Sequence, residues 1–106
     1  MKLKEIPVSE DNTNGNYMHY CPGCKQLHMI NTLVRNNNGA IWSFDGDVNN
    51  PTFSPSIHIH STDAKGNRHT SCHYFIKSGY MHYCNDSRHE LSGQIVELPN
   101  IPEGFL

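Results

Sequence analysis

The stretch that decides the fold runs from Ser56 to Cys84, "SIHIHSTDAKGNRHTSCHYFIKSGYMHYC". Its runs SIHIH, CHYFI and YMHYC alternate between side chains suited to a core and side chains suited to water, the period of a half-buried strand. A polar loop holding Gly66 separates the first two runs, and Lys77-Ser78-Gly79 joins the second to the third as a tight hairpin. Working outward, "QIVEL" at 94–98 reads as a last strand before a tail broken by Pro99 and Pro102. Upstream, "HMINTLVR" and "AIWSF" are two β-rich runs around the Asn/Gly turn at 36–39, which reads as another hairpin. Apolar residues nowhere recur at helical spacing over the length of a helix, and "SRHELSG" supplies one turn at most. The pattern predicts a mainly β, small single domain over 1–106, with roughly six or seven short antiparallel strands and little or no helix. Residues 1–16, ending in "DNTNGN", read as a loosely attached N-terminal strand and loop.

Composition says why such a domain needs a staple. The chain has 106 residues, of which 36% are hydrophobic, so burial alone leaves its stability thin. A net charge of −2 gives no field suited to nucleic acid or an anionic membrane, and no run of about 18 apolar residues offers a membrane span. The start "MKLKEIPVSE" lacks the apolar core of a secretory signal, which points to a cytoplasmic setting. There the four cysteines are reduced ligands or core residues rather than disulfides.

"CPGC" at Cys21–Cys24 is the strongest local signal. Two thiolates two residues apart can grip one tetrahedral ion, and Gly23 lets the backbone curl so that N–H groups face sulfur. A redox pair would want a helix starting at the first cysteine, whereas "KQLHMINTLVRNNNG" reads as strand and turn. Two cysteines do not close a structural zinc site, so further ligands must come from His28, Cys72, His73, Cys84 or His89. Cys72 and His73 are neighbours in a strand and face opposite ways, so only one of them readily joins a given site. The favoured set is Cys21, Cys24, His28 and Cys72 around a structural zinc, with His73 or Cys84 as alternatives.

A second motif, "NPTFSPSIHIH", places Thr52, Ser54, Ser56, His58 and His60 on one face of an extended segment. Phe53, Pro55, Ile57 and Ile59 fall on the other, as core. Pro51 and Pro55 stiffen the segment and suit it to an edge or rim. A stiff strand presenting hydroxyls and imidazoles is a platform for nucleophilic chemistry, provided a base takes the serine proton. His58, His60, His73 and His89 are the candidate bases, with Asp86 or Asp45 to orient them. His58 and His60 could also ligate a second metal. In "NDSRHELSGQIVELP", Asp86 and His89 lie close enough to meet, or Asp86 caps the short turn.

Taken in order, "CPGC…H", Trp42, Pro51–Ser56, "CHYFIKSG" and "NDSRHELSGQIVELP" resemble a family of small zinc-binding domains found in bacteriophages and bacteria. The resemblance covers roughly Tyr20 to Pro99. The label ammonia monooxygenase, often carried by such proteins, finds no copper site or membrane span in this sequence. Relatives usually carry an apolar residue at position 84 and often a cysteine where Ser87 stands, and His58 and His60 look peculiar to this chain. Bacterial members tend to be encoded beside ubiquitin-like proteins and their activating and conjugating enzymes. That implies a serine-dependent peptidase or acyl-transfer protein acting on a ubiquitin-like C-terminus. Ser56 or Ser54 would attack, His73 would be the base, and Asp86 or His89 would support it. The alternative is a non-catalytic, zinc-stapled adaptor that binds a host or ubiquitin-like protein.

Overall fold

A computed structural model describes residues 1–7, 15–36 and 38–105. The expected loose segment over 1–16 falls partly on 8–14, outside the described residues. Eight strands are present: β1 (Lys4–Glu5), β2 (Tyr17–Cys21), β3 (Gln26–Ile30), β4 (Ser43–Phe44), β5 (Phe53–Thr62), β6 (Arg68–Lys77), β7 (Tyr80–Tyr83) and β8 (Ile95–Glu97). They form two antiparallel sheets, one in the order β1-β2-β3 and one in the order β4-β5-β6-β7-β8. The helical content of the described residues is a single 3-10 turn at Glu103–Phe105, and no helix among them is long and apolar enough to cross a membrane. The mainly β, antiparallel reading of the sequence holds, with two two-residue strands adding to the expected number.

The three central strands of the five-stranded sheet, β5-β6-β7, are the meander read from Ser56 to Cys84. Loop 63–67 is shaped by Asp63, whose carboxylate accepts the N–H groups of Lys65 and Asn67 at 2.9 Å each. Ser78 and Gly79, both at positive φ, turn β6 into β7. Alternation then sorts the side chains. Cys72, Tyr74 and Ile76 of β6, with Met81 and Tyr83 of β7, face the core, while His73, Phe75 and Lys77 face outward.

One expected hairpin does not form. The runs on either side of "NNNG" belong to different sheets, β3 pairing with β2 and β4 with β5. Buried Asn31 explains the crossing. Its side chain donates to the carbonyls of Val34 and Ala40, and its own carbonyl accepts the Trp42 N–H at 3.0 Å. Side-chain hydrogen bonds of this kind hold a backbone in a loop and compete with ladder pairing.

The two sheets meet over Tyr74, which is completely buried. Its hydroxyl lies 2.7 Å from His19 Nε2 and 2.9 Å from His28 Nδ1, residues paired directly across β2 and β3. A hydroxyl has one proton, so it donates to one imidazole and accepts from the other. Burial, with His28 nearby, pushes His19 down to about 3, so its ring is neutral in the folded protein.

Candidate active site and metal cluster

Adjacent residues of β6 serve two different clusters. On the inner side, Cys21 Sγ and Cys72 Sγ lie 3.9 Å apart, and Cys72 Sγ lies 3.3 Å from His89 Nε2. With Cys24, these four donor atoms all fall within 4.8 Å of one another. Sulfurs about 2.3 Å from a tetrahedral ion stand roughly 3.8 Å apart, so the spacing fits. The local sequence is shaped around the cluster. Cys24 N–H points at Cys21 Sγ at 3.4 Å, and the Tyr83 hydroxyl lies 3.1 Å from the same sulfur. A Cβ on Gly23 would run into the His89 ring, so glycine there makes room for the fourth donor. Cys21 is lowered to about 5, first by hydrogen bonding from Cys72, while burial raises Cys24 to about 11 and Cys72 is held well up by its bond to Cys21. The crowded thiols thus oppose one another's ionisation, and a bound cation would let them all ionise. The four residues could hold a metal ion.

His89, and not His28, stands at the fourth place of the cluster. His28 is tied to Tyr74, and its Nε2 is buried without a partner. His89 stands among the thiols rather than beside His73. Leu91 N–H donates to His89 Nδ1 at 3.2 Å. A neutral ring bound to metal through Nε2 carries its proton on Nδ1, so metal binding would have to break that contact. Cys84 lies outside the cluster, its N–H donating to the His73 carbonyl at 2.8 Å.

On the outer side, His73 Nε2 lies 3.1 Å from Ser56 Oγ, and His73 Nδ1 lies 3.1 and 3.2 Å from the two Asp86 oxygens. Nδ1–H donates to the carboxylate, and Nε2 is left to accept the serine proton. Three features fix this row. The β5–β6 register shifts between Phe53 and Ile57, a bulge that breaks the simple alternation expected there. Pro55 is therefore exposed and not core, and Ser56 is turned toward His73. Trp42 Nε1–H donates to the Ser56 carbonyl at 3.2 Å, anchoring the backbone of that residue. Ser87, buried, accepts the His73 N–H and donates to the His73 carbonyl, both at 2.9 Å, which hooks the loop carrying Asp86 onto β6. Trp42 and Ser87 carried no such role in the sequence, because their bonds are to backbone atoms far away in the chain.

Ser54 stays exposed, and its carbonyl accepts a bond from Ser43 Oγ at 3.3 Å. His58 stacks on His73 with centroids 4.3 Å apart and donor atoms near those of His73 and Asp86. Burial, with His73 and His60 nearby, holds His58 below the usual imidazole range. Asp45 accepts N–H groups of its own loop, from Asp47 and Thr52.

Fold and site together define a small two-sheet β domain with a serine, a histidine and a carboxylate aligned on one face and a Cys/His cluster beneath. The chain belongs to the family described as bacterial ubiquitination-like system serine protease (BubE), whose model matches residues 1–84. The match takes in Ser56, His73, Cys21, Cys24 and Cys72, and it ends just before Asp86 and His89. No curated protein and no solved structure matches the chain.

Proposed function

We propose that this chain is a serine peptidase that cleaves, or transfers, an acyl group at the C-terminus of a ubiquitin-like protein. The carrying observation is the row Ser56 Oγ, His73 Nε2, His73 Nδ1, Asp86 in a member of a serine protease family. Ser56 Oγ attacks the carbonyl carbon while His73 Nε2 takes the hydroxyl proton, and Asp86 holds the ring and stabilises its positive charge. The same proton passes to the leaving amine as the C–N bond breaks. Water, deprotonated by His73, then releases the acyl group; an acceptor amine or hydroxyl in its place gives transfer. An adaptor without catalysis leaves this alignment without a use.

Cys21, Cys24, Cys72 and His89 would hold zinc as a structural ion. Four protein donors fill a tetrahedral site and leave no position for substrate, so the ion supplies rigidity and not chemistry. Bound there, it would tie β2 and the 89–92 turn to β6, directly behind His73. Free, reduced thiols suit a cytoplasmic enzyme.

The test is cleavage of a ubiquitin-like protein fused at its C-terminus to a short extension, followed by intact mass. The expected result is one cut at the tail, abolished by Ser56→Ala. Cutting by Ser56→Ala at the wild-type rate would overturn the proposal.

A further inference from the structure

A groove of about 390 Å³ opens beside Ser56, with Trp42, Pro55, His58, His60 and Arg68 on its walls together with Asn36, Asn38 and Ala40. Its chemistry is one-sided. Among the described residues no aspartate or glutamate lines it, although the whole chain is net −2. Arg68 pairs with no carboxylate among the described residues; it donates instead to His60 Nδ1 at 2.9 Å. Asp63, the acid of the same hairpin loop, is spent on its own turn. Asn36 Oδ1 accepts the N–H groups of Asn38 and Ala40, so its amide has only N–H donors left to offer. His60 packs against His58, centroids 4.1 Å apart, and His58 stacks on His73. A row of rings thus leads from Arg68 to the base.

We propose that this groove is a carboxylate subsite, in which Arg68, His60 and Asn36 receive an acidic side chain or the terminal carboxylate of a peptide substrate. The proposal rests on reading Ser56 as the peptidase nucleophile. A guanidinium paired with no carboxylate among the described residues, next to an imidazole and amide donors, matches the shape and charge of a carboxylate. Burial holds His58 below the usual imidazole range, whereas the Arg68 guanidinium stays charged at any working pH.

The test uses internally quenched peptides in which Asp or Asn is scanned across three positions on each side of a Gly-X bond, each made with a free acid and an amidated end. One pair of peptides should show kcat/KM about tenfold higher for the charged member, a difference typical of one charge-assisted hydrogen bond. A scan position identifies a side-chain carboxylate; the acid–amide pair identifies a terminal one. Arg68→Gln should bring that ratio close to one, and Arg68→Glu should invert it, in protein with unchanged metal content. Ratios near one throughout for the wild type, or a ratio that survives Arg68→Gln, would overturn the subsite. Binding of the same peptides to Ser56→Ala, read by fluorescence anisotropy, separates this from the chemistry. Charge discrimination in binding without turnover by the wild type would sink the peptidase reading and keep the subsite; equal affinities would sink the subsite alone.

Discussion

Cys72 and His73 are neighbours, yet they belong to different worlds. Cys72 is wholly buried among sulfur and imidazole donors, and its proposed role is to hold parts of the chain together through a metal ion. His73 is partly exposed and lies between a hydroxyl and a carboxylate, where its proposed role is to move a proton. One strand keeps the two apart at no cost in chain length, because the pleat sends successive side chains to opposite faces. In a domain with a thin core, the Cys/His cluster sits directly behind the Ser56–His73–Asp86 row, and a metal held there would stiffen that face.

The comparison can be broken from either side, and the inner side should break harder. Cys72→Ser, or stripping the metal with a chelator, is expected to abolish cooperative thermal unfolding and peptidase activity together, since the ligands join β2, β6 and the 89–92 turn. Activity lost on chelation with the melting curve intact would assign the metal to catalysis instead. On the outer side, Ser56→Ala should lower the peptidase rate by about 10³-fold or more while leaving the melting temperature nearly unchanged. Asp86→Asn should cost about 10²-fold or more by favouring the wrong tautomer of His73, and the fold should again persist.

Smaller effects lie in the layer between the sheets. Tyr74→Phe removes the shared partner of His19 and His28 and should destabilise the domain by about 1–3 kcal/mol for each imidazole left unpaired, read from chemical denaturation. His19 also sets an acid limb. Unfolded, it binds a proton below about 6.5; folded, it resists until about 3. In that window the unfolded state binds more protons, so stability falls as pH falls, by up to about 1.4 kcal/mol per pH unit. His19→Gln should flatten that slope; an unchanged slope would place the acid lability elsewhere.

Alternation made much of this legible in the sequence. It separates Cys72 from His73, puts Ser56 among the outward residues, and gives the meander from Ser56 to Cys84. Three things were not legible. The bulge before Ile57 turns Pro55 out of the core, and it depends on pairing with β6 rather than on local pattern. His28 has the better spacing to "CPGC", but a buried tyrosine from another sheet takes it, and His89 arrives from a distant turn across Gly23. The pentapeptide "YMHYC" occurs at both Tyr17–Cys21 and Tyr80–Cys84, and its two copies part company for the same reason. His19 lies in the buried layer between sheets, whereas His82 is half-exposed on β7, because each copy belongs to a different sheet.

The most direct test is native mass spectrometry of wild type and His73→Ala before and after treatment with a fluorophosphonate. The expected result is one metal ion per chain in both proteins, with an adduct on Ser56 in the wild type and none in the variant. An adduct of equal yield in His73→Ala, or loss of the metal from that variant, would contradict the division of labour across β6.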